Sequence, residues 1–474
     1  MHDVLVTQQN GFGTRRIVAR LLAALAVAAC AGALLGAPAA RAESPMYLYN
    51  LAHTGFESKE KAINATTVGT LAPNWIARAS ETVSDETIAA NGLLYWGSWD
   101  GLEHATNPAT GKDVWTQFLG EETKADCTPP HLGVASTATV VNVHIAGKLQ
   151  SVLYVGGGDG SYYALDANTG AIIWSKSFGS PADGYFMWSS PSFYRKGIYV
   201  GVSSIGDCPL IPGKIVKLNA ESGAVEAQFE TTPPGCPGAG PWTSPTIDKK
   251  TGTLYMNTGT DGGFYCAQAE PYAQALLELT SNLELKSYWK PPQGEQVIDG
   301  DFGATPTLFA ATVGGVKRLL VGAANKNGIF YALERGNVGA GAVWQTEPIS
   351  RETDTIATAA WDGKHLYVAG HFTKIKGQEC ESSIRAVNAE NGSFAWSDCL
   401  HGGAAEPAVT AIPGVVFESL GSILYGVAPK TGAVLFEFQD TSFHWFFSPA
   451  MVHEGALYLG NSDGNMYKFT LGGH

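Results

Sequence analysis

Short apolar runs, each about five residues long, recur along the chain between clusters of turn-forming residues. The clearest unit is Leu153 to Trp174, LYVGGGDGSYYALDANTGAIIW. Leu153-Tyr154-Val155 reads as a buried strand. Gly156 to Gly160 reads as a tight hairpin turn, because glycine reaches positive φ without a Cβ clash. Ser161 to Leu165 alternates across a sheet, and Asp166 to Gly170 supplies a second turn in which Asp and Asn bond their own backbone. A third strand ends on Trp174. Strand, D-G turn, strand, T-G turn and Trp-ended strand make three quarters of a four-stranded antiparallel blade.

The phrase returns at Leu94 to Trp115, Ile198 to Val225, Leu254 to Trp289, Leu319 to Trp344, Leu366 to Trp396 and Val415 to Phe436. A spacing of about 40 to 60 residues suits propeller blades with loop insertions. An eighth copy opens at Leu457, turns at Ser462-Asp463-Gly464-Asn465 and stops after Phe469, one strand short. Thr70 to Ala79, TLAPNWIARA, precedes the first full repeat and carries an unassigned Trp75. The sequence therefore predicts an all-β, eight-bladed β-propeller closed by an N-terminal strand that completes the last blade and leaves no free edge. The expected organisation is a signal over 1–42, a lead-in and closing strand over 43–80, and the propeller over 81–474.

The signal reading rests on basic Arg15, Arg16 and Arg20, an apolar Leu21 to Gly36, and Ala40-Arg41-Ala42 as a cleavage site. Thr14-Arg15-Arg16 is also similar to a twin-arginine signal, and Val27-Ala28-Ala29-Cys30 to a lipobox, which leaves a freely exported and a lipid-anchored form open. No later apolar run reaches the length of a transmembrane helix. Net charge is −13 without like-charge runs, which argues against nucleic acid and anionic lipid as partners. Gly numbers 57 and charged residues are only 15%, in keeping with many short strands joined by turns.

Six of the seven cysteines lie beyond the signal, an even number for an oxidising compartment. Cys208 and Cys236 flank one repeat and Cys380 and Cys399 another, so each pair is expected to bridge; Cys127 and Cys266 then remain for each other. C-x-x-C-H, G-x-S-x-G and phosphate-loop patterns are missing, and the histidines show no metal-ligand spacing.

The repeat resembles the pyrroloquinoline quinone (PQQ) repeat, and nearly all of the chain beyond the signal resembles the eight-bladed quinoproteins, which include alcohol and polyvinyl-alcohol dehydrogenases and a non-enzymatic assembly lipoprotein. GAGPWTSPTID, Gly238 to Asp248, is similar to the stretch whose Trp floors the quinone, which implies Trp242. IDGDFGATP, Ile298 to Pro306, resembles the segment with the catalytic base, which implies Asp299 or Asp301. ANKNGIFYALER, Ala324 to Arg335, resembles the segment whose cation meets the quinone oxygen, which implies Lys326. The resemblance further implies calcium; Asp207, Asp261 and Asp299 stand nearest the family's ligand positions, although the family's Glu and Asn are replaced.

Each residue also has a structural reading. Trp188-Ser189-Ser190-Pro191, Trp242-Thr243-Ser244-Pro245 and Asp301-Phe302-Gly303-Ala304-Thr305-Pro306 share a pattern that could satisfy backbone groups around the channel. Lys326 beside Asn327-Gly328 and Asp207 beside Cys208 suit ordinary turns. Two functions follow: a PQQ-dependent dehydrogenase of a small-molecule alcohol or polyol, or a propeller without cofactor that binds a protein partner at the channel mouth.

Overall fold

Residues 44–123, 129–351 and 356–474 are described by a computed structural model; the expected signal, Cys30 and Cys127 lie outside them. The apolar runs pair into four-stranded antiparallel sheets, giving blades at 88–118, 139–177, 185–230, 246–289, 307–345, 360–400 and 410–439. The third carries an extra short strand. The eighth, 451–471, takes Leu71–Arg78 as its outermost strand, paired from Leu71 with Leu471 to Arg78 with Asn465. The fold is thus an all-β, eight-bladed propeller. Second strands such as Gly197–Ser204 are buried throughout. Outermost strands such as Ile172–Ser177 alternate between exposed and half-buried, as a sheet wet on one side does.

A repeated Trp and Gly lock neighbouring blades together at five junctions. A Cβ on Gly170, Gly223, Gly392 or Gly432 would lie 2.6 or 2.7 Å from the indole of Trp115, Trp174, Trp344 or Trp396 in the preceding blade. The T-G glycine therefore leaves the space in which that indole rests. Each indole N–H also donates to a carbonyl at the same turn: Trp115 to Ala167, Trp174 to Ala220, Trp344 to Ala389, and Trp396 to Pro429, at 2.8–3.1 Å. Trp75 makes the equivalent contact on Gly111 and donates to Pro108, so the closing strand also locks the ring shut.

Around the axis, hydroxyls stitch successive blades. Thr137 Oγ1 accepts the Glu86 N–H (2.8 Å), and Ser190 Oγ accepts the Thr137 N–H (3.1 Å). Ser244 Oγ, Thr305 Oγ1 and Thr358 Oγ1 continue the chain at 3.0, 3.1 and 2.8 Å. Two residues on, the hydroxyls of Thr139, Ser192 and Thr246 donate to the carbonyls of Pro191, Pro245 and Pro306. The shared Ser/Thr-Pro pattern is thus an inter-blade bond.

An innermost strand presents unpaired N–H groups to the channel, and these need acceptors. The segment 44–60 supplies them. Pro45 O accepts from Val140, Leu51 O from Ile247, Ala52 O from Leu308, Thr54 O from Trp361 and Gly55 O from Ala411. Ser44 bridges Ala89, and the Tyr49 hydroxyl accepts from Val452. The lead-in therefore crosses the channel and touches the inner edges of most blades.

Two cysteine expectations, Cys208 with Cys236 and Cys127 with Cys266, are corrected. Cys236 bonds Cys266, not Cys208, while Cys380 bonds Cys399. The loop around Cys236 lies against the turn Gly263–Tyr265, with Ala239 N–H on Thr260 O and Gln268 Nε2 on Pro234 O, which sets Cys266 beside it. Cys208 is disulfide-bonded in another pair, so Cys266 is unavailable to Cys127.

Candidate functional site

Trp242, Asp299, Asp301 and Lys326 meet beside the channel, although they come from two blades. Trp242 precedes the innermost strand of blade 4, Asp299 and Asp301 precede that of blade 5, and Lys326 follows the strand Val316–Ala324. The indole N–H of Trp242 donates to Asp301 Oδ2 (3.2 Å). Lys326 Nζ donates to Asp299 Oδ1 and Oδ2 (3.1 and 3.0 Å), lies 3.5 Å from Asp301 Oδ2, and sits 5.7 Å from the centre of the Trp242 ring. Main-chain bonds hold the geometry: Lys326 N–H to Asp301 O (2.8 Å), and Asn325 Nδ2 to Gly300 O (2.7 Å).

Burial separates the two candidate bases. The Asp299 side chain is 44% exposed and fully engaged by Lys326. Asp301 is 5% exposed, and its Oδ1 is buried without a hydrogen-bond partner. Desolvation pushes the Asp301 carboxyl up to about 7; Lys326 opposes the rise, and the charges of Asp299 and Asp207 add to it. Burial also raises Asp207, with Asp299 adding and Lys326 opposing, so Asp207 shares this field. Burial would lower Lys326, but Asp301, Asp299 and Asp207 outweigh it and hold the ammonium charged.

Asp261 does not join them. Its Oδ1 accepts the Gly263 N–H (3.0 Å), and the charge it perturbs is Glu270, whose carboxylate holds Gly262 N–H. Among the described residues, no three His, Cys, Asp or Glu side chains are placed to hold a metal ion. The expected set Asp207, Asp261 and Asp299 is therefore not assembled, and no step is derived through calcium.

Trp242 faces two connected cavities. The outer, about 450 Å³, is lined by Trp99, Trp188, Trp242, Ile356 and Phe447. The inner, about 140 Å³, runs between the hydroxyl ring and Tyr47, with Asp85 and Glu86 in its wall. Sequence reasoning gave Trp188 only a structural reading, although WSSP repeats the pattern of WTSP and signals the same place in the ring. Trp99, Phe447 and Tyr47 carry no such signal. Ser98, His104 and Asp113 form a Ser-His-Asp chain at 3.1 and 3.2 Å inside blade 1. Ser98 is fully buried and its hydroxyl donates to Asp100, so its proton is directed at a carboxylate and not at His104.

A flat, oxygen-rich aromatic group fits what is present: an indole at a cavity wall, an adjacent ammonium, and a buried carboxyl oxygen with an unused lone pair.

Residues 61–235 match the family described as outer membrane protein assembly factor BamB. The quinohemoprotein alcohol dehydrogenase ADH IIB of Pseudomonas putida is 28% identical over 58% of this chain and 44% of its own length. The polyvinylalcohol dehydrogenase of a Pseudomonas species is 23% identical over 80% of this chain and 65% of its own. The chain thus spans about half to two thirds of these relatives. Among solved structures, quinohemoprotein alcohol dehydrogenase from Comamonas testosteroni superposes with a TM-score of 0.72 at 17% identity, over 91% of this chain and 81% of that one. BamB from Moraxella catarrhalis gives 0.55 at 13% identity, over 84% and 99%.

Proposed function

The chain belongs to the propellers of PQQ-like repeats, and from that premise we propose that it is an exported dehydrogenase that oxidises alcohols or polyols with PQQ. The observation that carries this reading is the meeting of Lys326 and Asp301 with Trp242, whose indole stands in the wall of both cavities. PQQ, when bound, takes up the two electrons removed from the alcohol carbon. Trp242 offers its face to the ring system, at small entropic cost because its own N–H is already anchored on Asp301. Lys326 holds positive charge where oxygens of the cofactor gain electron density, and Asp299 fixes that ammonium from behind. Asp301 Oδ1 takes the hydroxyl proton: it is buried, unpaired, and has a pKa near working pH. Trp99, Trp188 and Phe447 keep water from the mouth. Residues 1–42 fit an export signal for such an enzyme.

A second reading, a binding or assembly propeller without cofactor, draws support from the family matched by residues 61–235 and from the unassembled metal ligands. Titration of the purified protein with PQQ, with and without calcium, separates the two. Saturable binding at one equivalent, weakened in Trp242→Ala, supports the dehydrogenase. Absence of binding under both conditions leaves the scaffold.

A further inference from the structure

Among the described residues, blade 6 buries a guanidinium that has no counter-charge. Arg385 lies in the strand Gln378–Asn388 and is 3% exposed. Its neighbours are neutral: Nη2 donates to Thr373 Oγ1 (2.6 Å), Nη1 to Pro348 O (3.2 Å) and Nε to Ser383 Oγ (3.4 Å), while the cation lies 4.7 Å from the centre of the Phe394 ring. Burial alone lowers its pKa, to about 10, and no carboxylate among the described residues offsets this. A buried, permanently charged group without an ion partner is costly by several kcal/mol, and folds keep one chiefly where something else supplies the opposite charge.

The surroundings point to what that is. Arg385 forms one wall of a groove of about 790 Å³, in which Arg351, Lys374 and Lys376 outnumber the single lining acid, Glu347, beside the rings of Phe394 and Trp396. Arg351 and Lys374 both turn to Glu379, which leaves Lys376 and Arg385 without an acidic partner among the described residues. Such a basic groove is out of keeping with a chain whose net charge is −13. The guanidinium makes only three hydrogen bonds with its five N–H groups, so donors remain for an oxyanion. We propose that this groove is a second binding site, separate from the channel mouth, for a small oxyanion-bearing molecule of the carboxylate or phosphate class, held by Arg385 at its base and Lys376 at its rim. Charge-assisted bonds to a desolvated Arg are the strong term, and the exposed Lys adds a weaker one.

The test measures the melting temperature of the full chain against increasing inorganic phosphate and, separately, succinate, with sodium chloride at matched ionic strength as the baseline. The proposal expects a saturable rise with at least one anion, and which one identifies the class. Arg385→Gln should weaken that binding by about ten- to a hundredfold, and Lys376→Gln by about threefold. Lys376 is on the surface, so its variant decides the matter if Arg385→Gln does not fold. No rise above the chloride baseline, or a rise with the same midpoint in Lys376→Gln as in the parent, overturns the proposal.

Discussion

Glu86 makes the cost of holding the lead-in across the channel measurable. It is 1% exposed; its Oε2 accepts the Leu48 N–H at 2.6 Å, while its Oε1 has no partner. Burial raises its pKa from 4.5 to about 8, and the single main-chain bond from Leu48 only partly offsets this. An unfolded chain loses this proton near 4.5, whereas the folded one keeps it until about 8. Between those values the unfolded state binds fewer protons, so stability falls as pH rises, by about 1.4 kcal/mol per unit. The full loss is about 5 kcal/mol, reached near pH 8. Glu86→Gln keeps the acceptor for Leu48 but cannot ionise. The variant should match the parent within about 1 kcal/mol at pH 5 and exceed it by about 5 kcal/mol at pH 8.5. Urea denaturation followed by tryptophan fluorescence at both pH values measures the difference. Denaturation midpoints that stay parallel from pH 5 to 8.5 would refute the buried, protonated carboxyl.

Gly223→Ala sets a Cβ 2.7 Å from the Trp174 ring at φ +70°, whereas Gly147, at φ +81°, has nothing within 4 Å. Thermal melts should show Gly147→Ala losing about 1–2 kcal/mol from backbone strain alone, and Gly223→Ala about 1–2 kcal/mol more from the displaced indole; equal losses would remove the inter-blade lock. Non-reducing peptide mapping should recover Cys236 with Cys266, and Cys266→Ser should cost about 3–4 kcal/mol by the chain-entropy estimate. If Asp301 is the base, turnover should rise with pH through about 7, because only the ionised carboxyl accepts the proton, and the removal of Lys326's opposing charge in Lys326→Met should move that limb upward. An unmoved limb would place the titration elsewhere.

The propeller was legible because its signal is repeated: at five junctions a T-G turn and a Trp are one contact, so each such copy reinforces the reading. The closing strand left its trace as the incomplete eighth copy and the spare Trp75, which rests on Gly111. The path of 44–60 left none, because its carbonyls, and few of its side chains, make the contacts. Any sequence can offer a carbonyl. Cysteine spacing misled at Cys236 because flanking one repeat says nothing about which loop lies alongside, and a turn after the next blade's strand brought Cys266 closer. At the site, Trp242, Asp299, Asp301 and Lys326 could be picked out by resemblance, and Asp261 could not be excluded. Its carboxylate is taken up by the Gly263 N–H within its own turn, a local bond that composition does not reveal.

The central claim is that Asp301, beside Trp242 and Lys326, moves the proton of an alcohol bound with PQQ. Single-turnover reduction of an artificial dye by the PQQ-loaded protein tests it most directly, with the parent, Asp301→Asn and Asp299→Asn compared at equal cofactor occupancy. The account predicts alcohol-dependent dye reduction in the parent, a loss of at least a hundredfold in Asp301→Asn, and a smaller loss in Asp299→Asn, which only steadies Lys326. Full occupancy with no alcohol-dependent reduction in the parent, or undiminished reduction in Asp301→Asn, would contradict it.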